Sequence, residues 1–199
     1  MATMAVLKVT PLLICIVALM LESSNRKGAQ TPLERLQAKI DVVSVTNLTV
    51  LQVAGQFNNP SEEQKRITPP MGGDSLFLFP DKTYIYTSVS DLPPDTISDK
   101  GTWTVDKDIV QLKSDKDVTW KSKRAERKYI LVRRRGHDGE LFVVGTEYEL
   151  PYFEKNAKDD PKFMFLLCSL KRERTITEAE TAGLHQKLMR EKWKPNFYR

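Results

Sequence analysis

The chain has 199 residues, 40% of them hydrophobic and 29% charged, with a net charge of +5. This balance excludes a disordered polymer and leaves room for one folded domain, a size that buries roughly 70% of the surface its unfolded chain exposes. Two cysteines and two histidines exclude, by supply alone, a disulfide-stapled scaffold and a multi-histidine metal centre.

Residues 1–30 read as an export signal. Lys8 gives a short positive start, residues 9–21 are apolar except for Thr10, with Pro11 interrupting the run, and residues 22–27 are polar. Thirteen residues are too few to span about 30 Å of hydrocarbon, so a cleaved signal is expected, with an uncleaved membrane tether as the alternative. The nearest cleavage candidate is Gly28-Ala29-Gln30, which would leave Cys168 as a single thiol and place the chain in the periplasm or outside the cell.

Thr31-Pro32-Leu33-Glu34 combines a cap, a favoured first helical residue and capping-box spacing, so a short helix should run to about Ile40. The β-branched density of Val42, Val43, Val45, Val50 and Val53 predicts one or two strands stopped by Gly55, making 31–57 a helix-and-strand unit. Asn47-Leu48-Thr49 also matches the N-glycosylation pattern. Residues 58–75, with Pro60, Pro69-Pro70 and Gly72-Gly73, read as a loop.

A β-domain is expected over 76–174. Pro80-Asp81-Lys82 turns a hairpin that puts Tyr84 and Tyr86 on one face. After a loop at 91–100, Trp103 and Val105 alternate on one strand, Asp106-Lys107-Asp108 turns, and Val110 and Leu112 resume the alternation. Val118 and Trp120 share a face of the next strand, and Gly136-His137-Asp138-Gly139 marks a second hairpin. Leu150-Pro151-Tyr152-Phe153 closes that region, and 154–162 reads as a polar loop. Residues 163–170 are apolar on both alternating faces and read as a central strand holding an inert, buried Cys168. Thr177-Glu178-Ala179-Glu180 opens a helix to about Lys192, so 175–199 is a helix with a basic tail.

The expectation is therefore a mainly β fold: an antiparallel meander of roughly seven to nine strands forming a curved sheet or partly open barrel, with both helices packed outside. Leu78, Phe79-Pro80-Asp81, Tyr84, Gly101-x-Trp103 and Ile109-x-x-Leu112 resemble the pattern in small exported bacterial β-domains, some of them described as lipocalin-like. The resemblance implies the fold and carries no binding residues with it.

Each candidate for chemistry has a structural reading beside it. Tyr84, Tyr86, Trp103 and Trp120 could line a pocket for a small apolar ligand, or simply fill a core. Lys121, Lys123, Arg124, Arg127, Lys128, Arg133, Arg134 and Arg135 form a block with only Glu126 against it. It could contact an anionic envelope polymer, lipid headgroups or a protein partner, or discourage edge pairing of strands. Alternation sends Arg133 and Arg135 to one face and Arg134 to the other, and the lack of interleaved aromatics argues against nucleic acid. His137 reads as a turn residue, and Asp106, Asp108, Asp115 and Asp117 read as solvated turn carboxylates, since calcium-loop spacing is missing. No nucleophile elbow or phosphate-cradling glycine loop stands in the sequence, so neither catalysis nor a cofactor is expected. Three functions remain open: a noncatalytic exported binding module, an interaction domain with a filled core, and an enzyme whose site the sequence does not announce.

Overall fold

The structure, a computed structural model, describes residues 30–59, 73–89, 96–115, 126–137 and 139–192. The Trp103 alternation forms the central hairpin as expected. β5 (Thr96–Asp106) and β6 (Ile109–Ser114) pair Trp103 with Leu112 and Val105 with Val110 across a turn in which Lys107 takes a positive φ of 54°. β3 (Gly73–Leu78) and β4 (Thr83–Val89) form the other expected hairpin, pairing Leu76 with Tyr86 and Leu78 with Tyr84. β7 (Glu126–Arg134) and β8 (Phe142–Gly145) flank the turn at Gly136.

The sheet closes fully. β2 (Gly55–Asn59) pairs with β3 on one side and with β9 (Leu170–Thr175) on the other, and β9 pairs with β8. Each strand from β2 to β9 thus lies antiparallel beside its neighbour in sequence, and the last pairs with the first, giving an eight-stranded up-and-down barrel. A ninth strand, β1 (Val42–Ser44), continues along the free edge of β7 beyond the end of β6. Closure leaves the barrel itself without an open edge, so "partly open" gives way to closed.

The expected apolar strand at 163–170 is instead a helix. Asp160 accepts a hydrogen bond from the Phe163 amide at 2.9 Å and Pro161 takes the first helical position, so α4 (Pro161–Cys168) starts there. A run apolar on both parities reads equally as a buried strand or a packed helix, and the cap decides it. The polar loop expected at 154–162 is shortened by α3 (Glu149–Asn156), whose Leu150 and Phe153 are buried. In the β-rich stretch 41–57, Thr49 and Gln52 form a reciprocal capping box and turn residues 50–53 into α2 (Val50–Val53). Gly55 begins β2 rather than ending a strand, and β5 reaches back to Thr96 through part of the expected loop. The terminal elements follow expectation: α1 (Pro32–Gln37) and α5 (Glu178–Lys192), the latter with Thr177 Oγ1 donating to Glu180 Oε2 at 2.9 Å. The strand expected around Trp120 lies outside the described residues, as does the signal at 1–29.

Period-two alternation assigns the two faces. On β7, Tyr129 and Leu131 point inward beside Phe57, Leu76, Trp103 and Leu112, while Ile130 and Val132 point outward. The outward set packs against Leu36 of α1, Phe153 of α3 and Phe165 of α4. On the opposite wall, Phe77, Phe79 and Ile85 meet Leu188 of α5. Each such buried aliphatic or aromatic side chain contributes about 1.5–3 kcal/mol, which is why β7 and β8 are apolar on both parities. Val45, Val53 and Ala54, around α2, stopper the end of the barrel where β2 begins. Among the described residues no helix is long and apolar enough to cross a membrane.

Candidate functional site

The inward positions change character along the barrel. Near α2 they are apolar except for Arg133 and Arg172; towards the other end, where β8 runs into α3, the same parities carry a cluster of polar groups. Extending the inward row of β5 back from Trp103 and Gly101 reaches Asp99, and register places Asp99 opposite Tyr86 and Gly101 opposite both Tyr84 and Ser114. On β7 the inward row Leu131, Tyr129 continues to Arg127, which pairs with Leu112.

These residues converge. Asp99, only 1% exposed, receives Tyr84 Oη at 2.9 Å, Ser114 Oγ at 2.9 Å and Arg127 Nη2 at 3.0 Å, all on Oδ2. Its other oxygen, Oδ1, is fully buried and, among the described residues, has no hydrogen-bond partner. The Arg127 guanidinium lies 5.1 Å from the centre of the Tyr86 ring and donates to the Tyr129 hydroxyl. Tyr86 in turn donates to Asp74 on β3. A register shift between Tyr86 and Thr87 bends β4 against β5 beside this cluster.

Glu149 completes the ring from α3. Gly145 lies opposite Tyr129, and a methyl group there would overlap the Glu149 carboxyl, so the glycine lets the acid lie directly over β8. Burial pushes the Glu149 carboxyl above its ordinary value, with Asp74 adding to the effect and Arg127 and two backbone amides opposing it. Burial, then the Asp99 charge, raises the Tyr84 hydroxyl well above the usual phenol value. Burial likewise raises Tyr86 and Tyr129, with Arg127 partly offsetting the rise at Tyr129. All three phenols therefore stay protonated, and Tyr84 donates to Asp99. Among the described residues, three carboxylic groups, Asp74, Asp99 and Glu149, stand around the Arg127 guanidinium.

The candidate residues read from the sequence fall into several settings. Tyr84 and Tyr86 belong to the polar cluster. Trp103, 1% exposed, is a packing residue whose Nε1 donates to the Phe79 carbonyl at 2.9 Å. Trp120, Lys121, Lys123 and Arg124 lie outside the described residues. The remaining basic block does not form one patch. Arg127 points into the barrel, Lys128 is exposed, Arg134 pairs outside with Glu140 at 2.5 Å, and Arg135 pairs with Asp41 at 2.8 Å. Arg133 follows the inward parity of Leu131 towards α2.

Asp74, Asp99, Ser114, Tyr129 and Glu149 do not stand out in the sequence. Alternation could have reached Asp99 and Tyr129, each two residues from an inward neighbour, whereas Glu149 depends on the fold around Gly145. His137 is an exposed turn residue 3.7 Å from Glu140, and His185 lies edge-on to Phe79. Asp108 accepts from Ser44 and Asp115 pairs with Lys100, and among the described residues no group of side chains forms a metal site. Cys168 is buried, its thiol pushed up to about 11 by burial and then by the Glu149 charge. Comparison with protein families, curated proteins and solved structures finds no match to this chain.

Proposed function

We propose that this protein is a noncatalytic, exported binding module that takes a small molecule at the α3 end of its barrel. The observation that carries the reading is Asp99 Oδ1, a buried carboxylate oxygen with no hydrogen-bond partner among the described residues. Leaving such a group unsatisfied costs about 1–3 kcal/mol or more, and buried polar groups without partners concentrate where a ligand or function supplies one. The carboxyl groups of Asp74, Asp99 and Glu149, gathered here among the described residues, support a neutral or positively charged head group bearing an N–H or O–H donor. Tyr86 and Tyr129 supply aromatic faces against which its body can lie. The scattering of Arg127, Arg134 and Arg135 into separate pairings favours this reading over capture of an anionic surface.

Native mass spectrometry before and after organic extraction of protein purified from its own host tests the proposal. A co-purifying small molecule, with occupancy reduced roughly tenfold in Asp99→Asn (about 1.4 kcal/mol), is the expected result. Absence of any passenger, together with an Asp99→Asn protein as stable as wild type or more so, would favour an interaction domain with a filled core. The same spectrum reads the amino terminus: a mass beginning near residue 30 supports export, and a chain retaining residues 1–21 points to a membrane tether.

A further inference from the structure

At the opposite end of the barrel interior, two arginines stand on the inward rows of β7 and β9, with no carboxylate between them among the described residues. Val132 pairs with Phe142, and Phe142 with Lys171. One step along the same rows, Arg133 on β7, Leu141 before β8 and Arg172 on β9 therefore stand side by side, and Leu141 belongs to the interior cluster. Arg172 N donates to the Leu141 carbonyl at 2.8 Å, which confirms that register. The two arginine backbones are two strand spacings, about 10 Å, apart, close enough for long side chains on one face to converge.

The Arg172 stem is fixed by its surroundings. Its Cδ lies 2.8 Å from where a Cβ on Gly55 would stand, so the glycine makes room for it, and Nη1 donates to the Gln52 carbonyl of α2 at 2.7 Å. Arg133 Nε is buried and, among the described residues, has no hydrogen-bond partner. Among the described residues no carboxylate pairs with either guanidinium. The nearby acid Glu140 is engaged by Arg134 and Lys171. Burial first, and then the Arg133 charge, holds Arg172 below its ordinary value, consistent with two like charges facing each other.

We propose that Arg133 and Arg172 form a binding site for one small oxyanion, phosphate or carboxylate, at the α2 end of the barrel. Two planar guanidinium forks match the lone-pair geometry of such an ion, and it would supply both the missing acceptor for Arg133 Nε and the missing counter-charge. The site is separate from the acidic cluster at the α3 end, so a ligand there and an anion here are independent events.

Thermal melts of the full-chain protein in a zwitterionic buffer test this, with sodium phosphate, sodium acetate or sodium chloride added at matched ionic strength. Phosphate should raise the melting temperature saturably, and chloride should not. Arg133→Gln and Arg172→Gln should each melt above wild type without phosphate, because a like charge has been removed, and should need roughly tenfold more phosphate for half the effect. Arg172→Lys keeps the charge but loses the fork and should fall between, while Arg135→Gln, on the exposed side, should behave as wild type. Acetate acting as strongly as phosphate would assign a carboxylate, and acetate without effect would assign phosphate. Equal shifts with phosphate and chloride, or wild-type phosphate dependence in Arg133→Gln, would overturn the site.

Discussion

Asp99 and Arg127 meet across the barrel interior over the top of β6, their side chains 3.0 Å apart, with the carboxylate 2% and the guanidinium 23% exposed. Neither strand pairs with the other; the two side chains share the inward face and reach each other over the intervening β6. Removing Asp99 leaves a largely buried guanidinium without a counter-charge. Breaking a buried ion pair from one side costs about 3–5 kcal/mol, and the partial exposure of Arg127 sets the expectation for Asp99→Ala at the low end. Replacing both residues by apolar side chains, as in Asp99→Leu with Arg127→Met, should cost less than the single change. Urea denaturation of the three proteins checks it: a double variant less stable than Asp99→Ala would show that the pair does not act as a unit.

Much of the barrel was legible in local pattern. The Trp103–Leu112 and Tyr84–Leu78 pairings follow from period-two alternation and turn residues, because an up-and-down meander places sequence neighbours side by side. The closure was hidden for the same reason in reverse: β2 and β9 are more than a hundred residues apart, and their pairing has no local signature. Residues 163–170 misled because apolarity on both parities fits either a strand or a helix, and the Asp160 cap was the discriminating feature. Arg127 was obscured by its neighbours, since in a block of eight basic residues only the parity shared with Tyr129 and Leu131 marks it as inward. Glu149 carried no signal of its own, as its burial depends on Gly145 at the end of β8 leaving room for the first residue of α3.

Two carboxyl groups should move stability with pH in opposite directions. For Glu140, burial works against ionisation, but hydrogen bonds and charges from Lys171 and Arg134 outweigh it and hold the group below its ordinary value. Its contribution is present above the unfolded carboxyl value and fades as pH falls through the lower folded value. Glu140→Gln should therefore lose about 1 kcal/mol near neutral pH, allowing for solvent screening, and nothing once the wild-type acid is protonated. Glu149, raised by burial, behaves inversely: stability falls as pH rises from the unfolded value through the folded one. Glu149→Gln should be more stable than wild type at neutral pH and converge with it in acid. Denaturation midpoints across a pH series from acid to neutral read both, and a Glu149→Gln protein weaker at neutral pH would contradict the assigned environment.

Cys168 should resist alkylation in the folded protein. At pH 8 a thiol at about 11 is about 0.1% ionised, roughly a hundredfold less than one at the ordinary value of 9.0, and the thiolate is the reacting species. Burial on α4 slows access further. Iodoacetamide labelling followed by intact mass should show a rate at least about a hundredfold below that of the urea-unfolded chain. Labelling at the unfolded rate under native conditions would mean that α4 opens readily from the barrel wall.

Gly101 and Gly145 offer a graded comparison, because what a new methyl group would meet differs in kind. At Gly101 it would overlap the Lys113 carbonyl oxygen and crowd the Asp115 amide, both backbone atoms of β6 and its end. Relief there requires moving a strand that is hydrogen-bonded on both sides and carries Ser114 against Asp99. At Gly145 the methyl would meet only the carboxyl end of Glu149, which can swing away. Overpacking of a closed core costs about 1–3 kcal/mol and more when backbone must shift, so Gly101→Ala should sit at or beyond the upper end and Gly145→Ala at the lower. Gly145→Ala carries a second signature. By expelling Glu149 from over β8 it removes one acid from the α3 end, so the downward slope of stability with rising pH should flatten even though the barrel remains folded. Equal destabilisation by the two alanines, or an unchanged pH slope in Gly145→Ala, would show that the Glu149 carboxyl is not held where Gly145 admits it.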